Sequence, residues 1–178
     1  MLELGGNAPF IVFDDADIEM AVKGAIASKY RNAGQIFVCA NRILVRDGVY
    51  EASTKRLAEI AGAMRVADGF DPGAVIGPLK AVEKVEALIA DAVKKVAKVI
   101  TSGKPAAQGG SFFEPTVLTD VTTDMVITKE ETFGPVAPLY CFKTDDEAIK
   151  MANNTEFGLA AYFYSRDIGR IWRIAEAL

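Results

Sequence analysis

The chain alternates between short apolar runs and longer stretches in which apolar residues recur at helical spacing. Residues 9–13 form the first apolar run, and the residues that follow at helical spacing are Ile18, Ala21, Val22, Ala25 and Ile26. Asp17 is placed to cap this predicted helix, and Gly34 comes shortly after its last turn. The chain is therefore predicted to begin with a strand followed by a helix.

The same succession continues to the end of the chain. Further strands are predicted at residues 42–46, 99–101, 115–121, 136–142 and 159–164, and further helices at 49–64, 80–96, 124–129, 145–153 and 167–178. An irregular connection with several glycines and prolines occupies residues 69–78. Because strands separated by helices pair in parallel through crossover connections, the pattern predicts one α/β domain, residues 1–178, with helices on both faces of a parallel sheet.

The composition narrows the possible functions. The 178 residues are 51% hydrophobic and carry a formal net charge of -4, which fits a single soluble domain without a basic surface for nucleic acid or anionic membranes. The sequence has no histidine, which removes histidine-dependent triads and zinc motifs, and no metal site is predicted. No apolar run reaches the roughly 18 to 20 residues needed to span a bilayer. A small-molecule function is expected.

Cysteine usage indicates the compartment. Cys39 and Cys141 are the two cysteines of the chain, and they form no CxxC pair. The sequence also lacks a signal peptide, so neither a disulfide framework nor an oxidising environment is indicated. A reducing, cytoplasmic setting is expected.

Motifs for binding nucleotides are missing, but four other segments contain residues that are unusual in plain scaffolding. No GxGxxG follows a predicted strand, and residues 102–105 lack the pattern of a phosphate-binding loop. The four segments are Leu-Glu-Leu-Gly-Gly at 2–6, Lys-Tyr-Arg-Asn-Ala-Gly-Gln at 29–35, Glu-Glu-Thr-Phe-Gly-Pro at 130–135 and Asn-Thr-Glu-Phe-Gly-Leu at 154–159.

Together these segments resemble the catalytic domain of the aldehyde dehydrogenase superfamily, and residues 28–35 resemble its succinate-semialdehyde dehydrogenase branch. Three further motifs, at 14–17, 76–79 and 113–116, occur in the order expected for the family. The resemblance covers essentially the whole chain. It implies a three-layer catalytic domain with a parallel sheet, truncated at both ends and lacking the family's cofactor-binding domain.

The family mechanism assigns a distinct group to each step. A cysteine thiolate attacks the aldehyde, a hydride passes to a nicotinamide, and a water activated by a carboxylate hydrolyses the thioester. The resemblance places Glu3 at the general-base position and Gly5 among the cofactor contacts. Without it, Glu3 would be interpreted as a strand-end residue before a Gly-Gly turn.

The sequence departs from the family pattern at the nucleophile. The family places its reactive cysteine two residues after the Gly-Gln pair, and Phe37 stands there. A phenyl ring has no nucleophilic atom, so covalent catalysis at this position is excluded. Cys39 resembles the second cysteine of the branch, whose redox-switch disulfide cannot form beside Phe37. As a substitute nucleophile in an extended segment it would be displaced by roughly 6.5 to 7 Å, so we expect a buried, inert thiol.

Three further residues acquire roles from the resemblance. Arg31 matches an arginine that binds the distal carboxylate of the substrate, although a cation near a helix C-terminus would also suit the helix dipole. Glu131 and Phe133 match the residues that contact the ribose hydroxyls and the nicotinamide. Without the resemblance, they are simply a turn residue and a core aromatic.

The absent parts of the family fold lead to two expectations. Without the cofactor domain, the chain is expected to bind NAD or NADP weakly or not at all, because most dinucleotide contacts would lie in that domain. Uncovered apolar surface is expected to favour homo-oligomers or other association.

Three hypotheses for function follow. In the first, the chain is the catalytic-domain portion of an NAD(P)-dependent enzyme that oxidises succinate semialdehyde or a similar aldehyde to the carboxylic acid, and is itself inactive. In the second, it is a non-enzymatic remnant that acts as a binding or oligomerisation module. In the third, Ile36 and Phe37 are an engineered or erroneous replacement in an otherwise active protein.

Overall fold

A six-stranded sheet forms the centre of the computed structural model, which describes residues 5–178. The strands are β1 (Ala8–Val12), β2 (Ala40–Arg46), β3 (Lys98–Thr101), β4 (Thr116–Thr119), β5 (Val136–Phe142) and β6 (Tyr162–Tyr164). Their order across the sheet is β3-β4-β5-β2-β1-β6, and every neighbouring pair is parallel except β3 and β4. Four of the six strands bury nearly all their residues, as expected for a sheet covered on both faces.

Helices cover both faces of this sheet. They are α1 (Ile18–Lys29), α2 (Asp47–Gly62), α3 (Val82–Lys94), α4 (Asp145–Asn153) and α5 (Ile168–Ala177), with 3-10 turns at Arg31–Gly34 and Val126–Thr128. In β2, the side chain of Ile43 faces α1 and α2. The side chain of the residue before it, Arg42, lies on the opposite face of the sheet and reaches α4. The predicted α/β architecture is therefore confirmed. None of the described helices is long and apolar enough to cross a membrane.

Local sequence signals explain where several helices begin. The carboxylate of Asp17 accepts a hydrogen bond from the Met20 amide, which confirms the predicted cap of α1. Thr144 and Asp167 cap α4 and α5 in the same way. Helix α1 ends at Lys29, before Gly34, because Asn32 and Ala33 between them adopt left-handed backbone angles.

Strand β3 differs from the prediction of parallel pairing. It runs antiparallel to β4, and Val99 and Ile100 remain exposed at this edge of the sheet. The connection at residues 102–115 contains no helix. Antiparallel pairing needs no crossover connection, so the helix-free return at 102–115 is compatible with the observed pairing.

The topology gathers four loops at one end of the sheet. Residues 5–7, 35–39, 131–135 and 157–161 each lead into a strand, namely β1, β2, β5 and β6. Because these four strands are parallel, their amino ends lie at the same edge. The segments that carry the unusual residues therefore meet at the amino end of the sheet.

Candidate active site

The segment before β1 is held against the turn before β5. The amide of Gly6 donates a hydrogen bond to Glu131 Oε1 at 3.1 Å. A Cβ added to Gly5, whose φ is +69°, would lie 3.3 Å from Glu131 Oε2 and 3.1 Å from the ring of Phe157. The structure thus brings together two predicted site residues, Gly5 and Glu131. Glu3, the predicted general base, lies outside the described residues.

Phe37 lies on a tight turn next to the same glycine pair. The amide of Cys39 donates to the carbonyl of Ile36 at 3.1 Å, and the hydroxyl of Tyr162 donates to the carbonyl of Val38 at 2.9 Å. A Cβ on Gly6 would collide with the carbonyl oxygen of Phe37, so only glycine allows this approach. The side chain of Phe37 is 48% exposed. Its ring therefore projects from a turn whose main-chain carbonyls are held by hydrogen bonds.

The Gly-Gln pair before this turn is fixed by loops from elsewhere in the chain. Gln35 Nε2 donates to the carbonyl of Pro78 at 3.1 Å, and Gln35 Oε1 accepts from the amide of Lys80 at 2.8 Å. Gly34 has a φ of +76°, and a Cβ there would collide with the carbonyl of Gly134. Both residues of the pair thus position the turn through contacts that do not involve residue 37.

Cys39 points away from the turn. Its side chain is fully buried, and its thiol donates to the carbonyl of Lys29 at 3.3 Å. The prediction that this segment is extended is wrong, because the hydrogen bond between Cys39 and Ile36 closes a turn. The thiol of Cys39 and the ring of Phe37 consequently lie in different surroundings, one buried and one exposed.

Arg31 lies at the mouth of a cleft of about 310 Å³, which Ile36 and Tyr162 also line. The residue is exposed at the start of the 3-10 turn after α1. Among residues 5–178, its guanidinium has no hydrogen-bond or ion-pair partner. A planar cation in this state is available to an anion from outside the chain.

The turn that carries Glu131 and Phe133 lines a larger cleft. Phe133 is half-buried and has a left-handed φ of +48°. Lys84 Nζ donates to the Glu131 carbonyl at 2.7 Å, and the cleft of about 800 Å³ is lined by Lys84, Glu131 and Phe157 among others. Sequence reasoning assigned no role to Lys84 or Phe157. Lys84 is separated from this turn by 47 positions and could be connected with it only through the fold.

A buried arginine, Arg42, connects two segments next to the candidate site. Arg42 Nη2 donates to the carbonyls of Asn7 and Ala152 at 2.8 and 2.9 Å, and Nη1 donates to the carbonyl of Met151 at 2.8 Å. Burial lowers the pKa of the Arg42 guanidinium. The arginine thereby ties the start of β1 to the C-terminal end of α4, where a cation also suits the helix dipole.

The geometry defines an α/β fold with a mostly parallel sheet and a candidate site at the amino end of its strands, and the comparisons identify its family. The family model described as "Aldehyde dehydrogenase family" matches residues 1–178, so the chain belongs to the aldehyde dehydrogenase family. The resemblance inferred from the motifs is thereby confirmed.

The relatives are enzymes acting on several aldehydes. The chain is 57% identical to the succinate-semialdehyde dehydrogenase (NADP(+)) of Escherichia coli and 58% identical to the 3-sulfolactaldehyde dehydrogenase of Pseudomonas putida. Each alignment covers 99% of this chain and 37% of the relative. The crystal structure of succinate-semialdehyde dehydrogenase from Burkholderia pseudomallei gives a TM-score of 0.98 at 60% identity, covering 100% of this chain and 38% of that one. The chain thus spans little more than a third of the length of these relatives.

Proposed function

We propose that residues 1–178 form a single domain, the catalytic-domain portion of an NAD(P)-dependent aldehyde dehydrogenase. The observation that carries this proposal is the convergence of Gly6, the Phe37 turn and Glu131 at one end of the sheet. These segments come from three distant parts of the chain. Their meeting provides a surface on which a nucleophile, a base and a cofactor contact can act on one substrate.

In the parent reaction, which needs a cysteine where this chain has Phe37, each group has a defined task. A thiolate at position 37 forms a bond to the aldehyde carbon. A nicotinamide held at this site would supply the hydride acceptor through which the adduct becomes a thioester. Glu3 takes a proton from the water that attacks the thioester, which releases the carboxylic acid and restores the thiolate. The glycines after Glu3 allow its carboxylate to move between these positions.

Glu131 on the larger cleft, together with Phe133 of the same turn and Gly5 of the segment packed against it, suits the nicotinamide half of a dinucleotide. The Glu131 carboxylate, which accepts from the Gly6 amide, is a group of the type that accepts hydrogen bonds from ribose hydroxyls. Phe133 supplies an aromatic ring on the same turn, and Gly5 allows the main chain to approach Glu131 closely. We propose these three residues as cofactor contacts, and we expect the chain alone to bind NAD or NADP weakly or not at all.

Arg31 is proposed to select substrates with an anionic group far from the aldehyde. Succinate semialdehyde and 3-sulfolactaldehyde, named in two relatives, carry a carboxylate and a sulfonate respectively at the end opposite the aldehyde. A guanidinium binds either group through two parallel hydrogen bonds. The exposed position of Arg31 and its unpaired charge in the described chain support this role.

Phe37 makes this chain inactive in the proposed reaction. Its ring cannot attack a carbonyl, and Cys39 cannot replace it because that thiol is buried and bonded to the Lys29 carbonyl. The surrounding turn is nevertheless held by Gln35 and Tyr162. The missing thiol is therefore a local defect in an assembled loop.

Hydrolysis of para-nitrophenyl acetate, which needs no cofactor, tests the proposal. We expect Phe37→Cys to acquire steady turnover, Phe37→Ala to remain inactive, and Glu3→Gln in the Phe37→Cys background to abolish the gain. Cys39→Ser in that background would leave turnover unchanged. A folded Phe37→Cys protein without turnover would contradict the proposal.

A second function is favoured by the exposed apolar side chains. Phe37 is 48% and Trp172 is 64% exposed, as expected of surfaces that meet another domain or subunit. In this alternative, the chain is a non-enzymatic binding or oligomerisation module. Sedimentation at tens of micromolar distinguishes the two: a stable oligomer with no turnover in Phe37→Cys supports the module, and an active monomer excludes it.

A further inference from the structure

Lys29 is a buried charged residue that the proposed reaction does not use. It is the last residue of α1, its side chain is fully buried, and its Nζ donates to Asn41 Oδ1 at 2.9 Å. No carboxylate pairs with it among residues 5–178. Removing an ammonium group from water is costly, and a single amide oxygen offsets that cost only in part. We therefore expect the main effect of Lys29 to be the positioning of neighbouring residues, and not stabilisation of the fold.

The lysine determines how the Asn41 amide is oriented. An ammonium group only donates hydrogen bonds, so it must face the oxygen of the amide. The amide nitrogen then points the other way, and Asn41 Nδ2 donates to the carbonyl of Gly6 at 3.1 Å. With an apolar residue at position 29, the amide loses one of the two partners that fix its orientation, and the Gly6 carbonyl alone remains to hold it.

Side chains hold the Gly6 peptide unit on both sides. Its carbonyl accepts from Asn41, and its amide donates to Glu131. Strand β1 begins only at Ala8, so the sheet ladder does not reach this glycine. The position of Gly6 therefore depends on the two side chains, one of which Lys29 orients.

The same end of α1 also fixes the segment that follows the Phe37 turn. The Lys29 carbonyl accepts from the thiol of Cys39, and Ser28 Oγ accepts from the amide of Ala40 at 3.2 Å. Residues 39, 40 and 41 are thus all bonded to the last turn of this helix. The C-terminal end of α1 therefore contacts both the Phe37 turn and, through Asn41, the Gly5–Gly6 segment.

We propose that Lys29 is a positioning residue, which acts through Asn41 to hold the Gly5–Gly6 segment against the turn that carries residue 37. In the parent enzyme it would set the position of the base-bearing chain at Glu3. That catalytic consequence rests on the proposed function, whereas the structural coupling does not.

Amide hydrogen exchange of the chain, followed residue by residue by NMR, tests the coupling without any enzymatic activity. We expect Lys29→Met to raise the exchange rate of the Gly6 amide by about five- to tenfold, because a local hydrogen-bonded unit is loosened. Amides within β2, such as Leu44, would keep their rates. Lys23→Met, which changes an exposed lysine of the same helix, is the matched control and is expected to leave all of these rates unchanged.

A second variant covers the case in which Lys29→Met does not fold. Asn41→Asp keeps the shape of the side chain and gives the lysine a carboxylate partner, but it removes the donor to Gly6. We again expect faster exchange at Gly6 with Leu44 unchanged. Unchanged exchange at Gly6 in the folded variants, or an equal increase at Gly6 and Leu44, would overturn the proposal.

The catalytic consequence is measured in the Phe37→Cys background. If Lys29 positions the base segment, adding Lys29→Met lowers kcat for ester hydrolysis by about tenfold and leaves KM unchanged. An unchanged kcat would overturn that consequence. If Phe37→Cys itself has no turnover, the proposed function fails, while the exchange measurements still decide whether Lys29 couples the two segments.

Discussion

The two ends of the parallel sheet are built in opposite ways. At the carboxyl end, Arg170 Nη1 lies 2.8 Å from Asp15 and 3.2 Å from Asp14, Nε lies 3.0 Å from Asp145, and the guanidinium lies 4.9 Å from the centre of the Phe13 ring. Its side chain is 16% exposed. The charges at this end thus find their partners within the chain.

The amino end retains unsatisfied groups and several strained backbone positions, although Asp120, directly after β4 at the carboxyl end, is left-handed as well. Asn32, Ala33 and Phe133 have left-handed backbone angles, each costing on the order of 1 kcal/mol. The Oγ1 of Thr132 is buried without a partner, and the guanidinium of Arg31 has none in residues 5–178. Such features persist where surrounding structure enforces them, which is typical of functional sites.

The difference between the two ends of the sheet shows that a functional site has to be located from its residues, and not from the type of sheet alone. Ligands of open α/β sheets commonly bind at the carboxyl ends of the strands. Here that end carries an internally paired network around Arg170, which includes Asp14 and Asp15 of the 14–17 motif, whereas the four segments with unusual residues meet at the amino end. The carboxyl end stabilises the fold, and the amino end is proposed to carry the reaction.

The largest expected effect comes from breaking the packing at the amino end. Gly34→Ala places a Cβ against the carbonyl of Gly134 at a φ of +76°, so we expect a loss of about 3 kcal/mol or more in the free energy of unfolding. Gly48→Ala is the control, because Gly48 lies in α2 with open space around it; it is expected to stabilise by up to about 1 kcal/mol. Urea denaturation measures both. Equal midpoints would show that the close approach at Gly34 is absent in solution.

Removing the central cation of the carboxyl end tests the other half of the comparison. Arg170→Met leaves Asp14, Asp15 and Asp145 without their common partner, and we expect a loss of about 1 to 3 kcal/mol in the free energy of unfolding. Arg173→Met serves as control, since Arg173 is 64% exposed and 3.7 Å from Asp145; its expected effect is below about 0.5 kcal/mol. The comparison fails if the two variants have the same stability.

A smaller effect is expected from acid. Burial raises the pKa of Asp15, but bonds from Ser165, the Arg166 and Asp167 amides and the charge of Arg170 outweigh it, and the net pKa is lowered from 3.8. A lowered folded-state pKa stabilises the fold above the unfolded value and stops doing so as the pH falls through the folded one. Between about pH 5 and about pH 3, wild type is therefore expected to lose more stability than Asp15→Asn. Parallel losses in the two proteins, followed by urea denaturation at each pH, would refute this assignment.

Much of the fold was predictable because its signals are local. The bounds predicted for β5 and α4 agree with the structure to the residue, since an apolar run ends just before a threonine cap and three acidic residues in the first helical turn. The antiparallel pairing of β3 was not predicted, because nothing in residues 98–101 indicates how the chain returns. The connection after the strand does not decide it either, because residues 120–135 also hold no α-helix and yet join the parallel strands β4 and β5.

The site was predictable in its segments but not in its contacts. Motif order indicated Arg31, Phe37 and Glu131, whereas Lys84 and Lys29 carry no local signal of their hydrogen bonds to distant residues. The turn at residues 36–39 was expected to be extended, and one of its bonds comes from Tyr162, which is 124 positions from Val38. Long-range contacts of this kind have no counterpart in sequence periodicity.

The central claim is that the Phe37 turn is already assembled and lacks only the sulfur atom of a cysteine. The rate at which thiols are alkylated tests this claim most directly. In Phe37→Cys, we expect iodoacetamide to modify position 37 at least about 100-fold faster than Cys39, because one side chain projects from the turn and the other is buried and bonded to Lys29. Peptide mass mapping assigns each site. Similar rates at the two positions would contradict the account, because they would mean that the turn is not preformed in this chain.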